Sequence, residues 1–314
     1  MPQPDNTSAA TDAADTRPLR SALYMPASNR RAIAKARELD ADALILDLED
    51  AVAPESKEAA RAVLVEELAT GGFGHRRMIA RINASAGAGT TEWGEADLAA
   101  LAATPLEAIL VPKIERPEDI ARLSQAMNRL DFAPGVALWV MIETPSAVLA
   151  IERIAAAAAG TRLAAFVLGL NDLAKDTGMA QLPGRAAFVP VMVNVLMAAR
   201  SAGLIALDGV SNAIDDAARV EAEAVQARDL GYDGKTLIHP SQIEPVNRVF
   251  APGPAELAQA RAIVAAFDDP ANHGKGVLRA DGKLAELLHR DLARRLIARA
   301  EAIASRTIAS GSAG

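Results

Sequence analysis

Two acidic residues stand where apolar runs stop: Glu143 at the end of residues 138–143 and Asp172 at the end of residues 165–172. Carboxylates at the ends of adjacent buried strands could converge on one hard divalent ion. Mg2+ suits such a pair, with Mn2+ as a substitute, because it prefers oxygen ligands, takes one or two protein carboxylates and completes its octahedron with water and substrate oxygens. The same residues could instead serve structure, Asp172 capping the segment that follows and Glu143 forming a salt bridge. Arg81 ends another run, in Met78-Ile-Ala-Arg-Ile-Asn83, where apolar neighbours bury its stem. A buried guanidinium needs an anion. That anion is either a substrate carboxylate or enolate gripped by the planar fork, or one of Asp47, Glu49 and Asp50.

The trio Asp47, Glu49 and Asp50 itself ends a run, and Lys57 and Arg61 follow at helical spacing. Three acids exceed what one metal needs, so a network with Lys57, Arg61 and Arg81 that orients the site is expected. Lys113 could be a catalytic base, a Schiff-base lysine or, the favoured reading, an ion-pair partner for Glu115 or another nearby acid. Tyr24 precedes Arg31 and Lys35, two cations four residues apart on one helical face. That face is either solvated or holds phosphates. His239, in Leu237-Ile-His-Pro-Ser241, could move protons or shape a turn.

The elements that must position these residues follow from the pattern of apolar runs. Short runs without clean alternation read as strands buried on both faces. They fall at residues 21–25, 43–48, 78–82, 108–111, 137–142, 165–168, 204–207 and 235–238. Helical periodicity fills the gaps, as at 29–39, 57–68, 117–130, 146–158, 190–202 and 215–230, with Pro117 opening one helix and Gly203 and Gly231 following two others. Eight such units predict a (β/α)8 barrel, whose ligands bind at the C-terminal ends of the strands. A doubly wound open sheet is the rival, but it favours a glycine-rich loop after its first strand, and Tyr24-Met-Pro-Ala-Ser-Asn29 has no glycine. The expected organisation is a disordered tail over 1–17, a barrel over 18–250, and a C-terminal helical arm or lid over 251–314. In that arm a hairpin edge is expected near 278–282 and a last helix over 284–304.

Composition narrows the function classes. The 314 residues carry a formal charge of −7, 51% hydrophobic and 3% aromatic residues, and no cysteine. An acidic chain without basic blocks is not built for nucleic acid or an anionic membrane surface. No apolar stretch approaches the ~18 residues of a membrane span. Absence of cysteine excludes thiolate chemistry and agrees with a cytoplasmic protein.

Several motifs occur together in order: Leu23-Tyr-Met-Pro-Ala-Ser-Asn29, Ile45-Leu-Asp-Leu-Glu-Asp-Ala-Val52, Arg81-Ile-Asn83, Val111-Pro-Lys113, Ile142-Glu-Thr-Pro145, Gly169-Leu-Asn-Asp-Leu173 and Gly234-Lys-Thr-Leu-Ile-His-Pro240. Over about residues 18–300 the chain resembles the HpcH/HpaI aldolase and citrate lyase β-subunit-like family of CoA-ester lyases. The resemblance implies a Mg2+-dependent barrel that makes or breaks a carbon–carbon bond in a 3-hydroxyacyl-CoA, such as malyl-CoA or citramalyl-CoA, with glyoxylate or pyruvate as the 2-oxo acid. It implies Glu143 and Asp172 as metal ligands, with Glu143 also facing substrate, and Arg81 as the group that binds substrate and stabilises the enolate. Tyr24, Arg31 and Lys35 become CoA contacts, and Leu207 and Asp208 line the ligand pocket. The family's lid carries an acid–base aspartate supplied by a neighbouring subunit, and here Glu286 stands at that position. A homo-oligomer, a trimer or a multiple of it, is therefore expected. A citrate lyase β subunit acting on an acyl carrier protein, a malyl-CoA thioesterase and a non-catalytic ligand-binding barrel are the alternatives.

Overall fold

Apolar runs buried on both faces pair side by side, because each needs a partner strand for its backbone and helices for its outer face. In the computed structural model, which describes residues 17–311 apart from Ala88, this gives a closed barrel of eight parallel strands in sequential order. The strands are β1 (Ser21–Pro26), β2 (Ala43–Asp47), β3 (Arg77–Arg81), β4 (Ala108–Val111), β5 (Ala137–Ile142), β6 (Leu163–Leu168), β7 (Ile205–Asp208) and β8 (Gly234–Leu237). The expected (β/α)8 architecture is therefore present, with strand ends shifted by at most two residues. The tail expected over 1–17 lies, except for Arg17, outside the described residues.

Strand periodicity splits the core in two. Ala22, Ala43, Ile45, Ile79, Leu110, Trp139, Met141, Val167 and Leu207 form one buried cluster, while their strand neighbours Leu23, Leu44, Leu46, Ile109, Val140 and Phe166 pack with helix residues in another. The first set faces the barrel interior and the second faces the helices, because successive strand residues point to opposite faces. Register then carries polar chemistry inward: Asp47 continues Ala43 and Ile45, Arg81 continues Ile79, and Asp47 lies opposite Arg81 across β2 and β3.

Helices follow the strands as expected, except that one is divided. The single helix read over 146–158 is two, Pro145–Leu149 and Ile151–Ala156, parted at Ala150, where φ −100° and ψ 6° leave the helical region. Helix Pro117–Arg129 does begin at its proline, with Asp119 capping the first turn. No helix among the described residues is long and apolar enough to cross a membrane.

The C-terminal residues from Ala251 form a second compact unit apart from Leu19–Phe250. Helix Pro254–Asp268 is followed by an antiparallel hairpin, β9 (Val277–Ala280) and β10 (Lys283–Glu286), and by helix Leu287–Gly311. The last helix thus starts later than residue 284. Residues 283–286 continue the hairpin because Leu278, Ala280 and Ala285 bury together against Ile263, Ala266 and Phe267.

Candidate active site

A cavity of about 370 Å3 opens at the C-terminal ends of the strands, and Tyr24, Asp47, Arg81, Met141, Asp172 and Thr236 are among its walls. Most of these obey the inward parity of their strands. Met141, Gly169 and Thr236 are lining residues that chemistry-led reading passes over, although the same parity marks them.

Glu143 and Asp172 meet on one cation. The Lys113 ammonium lies 2.5 Å from Asp172 Oδ1 and 3.3 Å from Glu143 Oε1, and the Lys113 backbone N–H donates to that same Glu143 oxygen at 2.8 Å. Lys113 reaches this position with φ 57°, a left-handed conformation rare outside glycine. The expected ion pair of Lys113 therefore exists, but with Glu143 and Asp172 instead of Glu115. Glu143 is 1% exposed at its side chain, and burial, opposed by the Lys113 charge, raises its carboxyl above the usual range. Burial pulls Lys113 down, yet the Glu143 charge and the Asp172 hydrogen bond outweigh it and raise the ammonium overall.

Gly169 makes room for this arrangement. A Cβ there would stand 2.4 Å from Glu143 Cβ and 2.5 Å from its Oε2. Only a residue without a side chain lets Glu143 turn under the β6 end. As a donor set the pair offers carboxylate oxygens alone, and no group of three or more His, Cys, Asp and Glu converges among the described residues. Two oxygen-bearing acids already holding one positive charge fit a hard divalent ion completed by water and substrate oxygens, and do not fit a nitrogen- or sulfur-loving metal.

Arg81 is 8% exposed. Its Nε and Nη2 donate to Asp47 at 2.7 and 2.6 Å, and its Nη1 lies 2.9 Å from Glu49 and 3.3 Å from Asp50. Its guanidinium also stacks over the Tyr24 ring at 4.8 Å. The internal-anion reading of Arg81 is thus realised, and Arg81 and Asp50, the latter 69% exposed at its side chain, both line the cavity. Burial first, and then Asp50, Glu143 and Asp47, push Glu49 up to about 8 against the opposing Arg81 charge. Its Oε2 is buried and receives no hydrogen bond.

The supporting network differs from expectation. Lys57 does not pair with the acids: its Nζ donates to the Leu48 and Glu49 carbonyls at 2.8 and 2.6 Å and lies over the Trp93 ring. Arg61 pairs with Asp97 at 2.8 Å, and Asp97 accepts from Asn83, whose amide donates to the Leu48 carbonyl. Lys57 and Arg61 thus brace backbone, leaving Arg81 as the cation among the acids.

Other residues fall outside the cavity. Leu207 and Asp208 do not line it. Leu207 is buried in the inner core, and Asp208, one residue on, faces outward, where it pairs with Arg185 and Lys235 at 2.8 and 2.7 Å with no exposure. Strand parity forbids both side chains from facing one pocket. Tyr24 is on the wall, whereas Arg31 and Lys35 are exposed on helix Arg30–Ala36, with no ion-pair partner among the described residues. His239 has the turn-forming role: Nδ1 meets Ser241 Oγ at 2.7 Å and accepts from the Ser241 N–H. Glu286 is exposed at the end of β10, its backbone N–H donating to His289 Nδ1 at 2.9 Å.

The family model described as HpcH/HpaI aldolase/citrate lyase matches residues 20–240. The (3S)-malyl-CoA thioesterase of Cereibacter sphaeroides strain KD131 is 46% identical over 288 residues, 92% of this chain and 96% of that protein. Citrate lyase subunit beta of Escherichia coli K12 is 31% identical over 299 residues, 94% and 97% of the two chains. Among solved structures, CitE of Mycobacterium tuberculosis in complex with magnesium, acetoacetate and coenzyme A is similar with a TM-score of 0.69 and 30% identity, covering 91% of this chain and 99% of that one.

Proposed function

Since the chain belongs to the HpcH/HpaI aldolase/citrate lyase family, we propose that it is a Mg2+-dependent enzyme that hydrolyses the thioester of a malyl-CoA-type 3-hydroxyacyl-CoA. The reading is carried by the convergence of Glu143 and Asp172 on one cationic position beside the cavity, in a chain 46% identical to a malyl-CoA thioesterase. Glu143 and Asp172 hold the ion, which when bound supplies a Lewis acid and a template for carboxylate and hydroxyl oxygens of the malyl end.

Arg81 faces the reacting carbonyl. Asp47 locks two of its nitrogens, so the fork cannot swing, and Nη1 exchanges the solvated Asp50 for the thioester oxygen as that oxygen gains charge. Tyr24 packs along the acyl chain and keeps water off Arg81. Arg31 and Lys35, both exposed, take CoA phosphates. Water adds to the carbonyl carbon, the carbon–sulfur bond breaks, and malate and the CoA thiol leave; one proton passes from water to a carboxylate and one returns to sulfur. Glu286 is the proposed acid–base carboxylate, supplied by the arm of a neighbouring copy in a cytoplasmic homotrimer or a multiple of it.

A carbon–carbon lyase giving acetyl-CoA and glyoxylate is the second reading, favoured by Arg81, whose fixed charge equally suits an enolate. It asks more of Glu286, because its carboxylate must take the hydroxyl proton itself, and a misplacement of about 1 Å can cost about 100-fold in rate. Hydrolysis draws its proton from water, which adjusts its own position. Incubation with malyl-CoA and Mg2+ decides between them. Malate and free thiol in equal amounts without glyoxylate support hydrolysis; glyoxylate with acetyl-CoA supports the lyase. No turnover of any short 3-hydroxyacyl-CoA would leave a ligand-binding barrel.

A further inference from the structure

The Lys113 ammonium occupies the point at which Glu143 and Asp172 converge, 3.3 and 2.5 Å from their oxygens. This is no wandering surface side chain. Its backbone is fixed by the hydrogen bond to Glu143 and by Gly87, where a Cβ would fall 2.0 Å from the Lys113 carbonyl oxygen. The ammonium also screens Glu143, which is absent from the cavity wall although Gly169, against which it packs, is part of it. A divalent ion and this ammonium cannot share one position between two carboxylates.

We propose that Lys113 is a built-in counter-ion that the metal must displace, so that metal binding is weakened in the free protein and strengthened by an anionic substrate. The inference rests on the metal reading of Glu143 and Asp172. Without metal, the lysine balances two acids, one of them almost fully buried, that would otherwise repel each other. When the ion enters, the ammonium leaves the line between the carboxylates but stays tethered beside them, so a second positive charge faces the first. A carboxylate arriving with substrate offsets that excess. Metal and anion therefore each raise the affinity of the other, as linkage requires.

Mn2+ binding to the full-length protein, measured by calorimetry with and without L-malate, tests this. Lys113→Gln keeps the stem and backbone position but removes the charge. It is expected to tighten Mn2+ binding by about ten- to a hundredfold, the worth of a charge-assisted hydrogen bond that the ion no longer breaks, and to shrink the gain that malate confers. Lys113→Arg keeps a cation and stays near wild type. Mn2+ should also raise the melting temperature of the Gln variant more than that of wild type, a readout independent of turnover. Unchanged or weaker Mn2+ affinity in Lys113→Gln, with the wild-type site still lost in Glu143→Gln, overturns the counter-ion role. Mn2+ binding that survives Glu143→Gln and Asp172→Asn overturns the metal reading itself.

Discussion

Glu49 shows how a single buried acid reports on its neighbours. With its carboxyl pushed up to about 8 from 4.5 by burial and by three nearby acids, it keeps its proton in the folded protein where the unfolded chain has lost it. The sign is set by linkage: the folded state binds more protons between these two values, so stability falls as pH rises through that window, with the full loss reached above about 8. A neutral Glu49 also leaves Asp47 as the buried carboxylate that matches Arg81, beside Asp50, which is 69% exposed at its side chain. Glu49→Gln mimics the protonated form at every pH. In metal-free protein, its melting temperature should equal wild type near about pH 5 and exceed it near about pH 9. A difference that is the same at both pH values would mean that burial does not hold the proton.

At the scale of elements, the site is an outcome of strand parity and of two backbone positions that parity does not describe. The strands were legible because each is a continuous apolar run, and so were Asp47, Arg81 and Glu143, which terminate inward-facing positions. Asp208 is the counter-case: the family resemblance puts it at the pocket, but Leu207 takes the inward place and Asp208, one residue on, faces outward to Lys235. An ion-pair role for Lys113 was legible, but its partners were not. Its φ of 57° turns both N–H and ammonium towards Glu143, and nothing in the residue type signals a left-handed lysine. Gly169 is the complementary case, a glycine whose need appears only when Glu143 is placed against it. Gly169→Ala should push Glu143 from its seat, costing ~1–3 kcal/mol by overpacking and weakening Mn2+ binding. Denaturant melts and calorimetry read the two effects separately, and a variant that keeps wild-type Mn2+ affinity would show that Glu143 is not seated by Gly169.

For the whole molecule, the barrel unit contributes the cation-holding acids and Arg81, while Glu286 belongs to the C-terminal unit, whose hairpin and helices have a small core of their own. A carboxylate at the end of an exposed hairpin strand has no catalytic use unless an active-site face reaches it. The proposed oligomer supplies that face by exchanging arms between copies, and such an exchange has a genetic signature. Glu143→Gln removes the metal acid from a copy's own site, and Glu286→Gln removes the acid it lends. Each variant alone should be inactive. Co-expressed in equal amounts, they assemble mixed oligomers in which about a quarter of the sites join an intact Glu143 from one copy to an intact Glu286 from another, as random mixing in a closed ring dictates. Recovery of about that fraction of wild-type turnover is the expected result. If Glu286 serves its own copy, every site carries one defect whatever the mixture, and co-expression restores nothing.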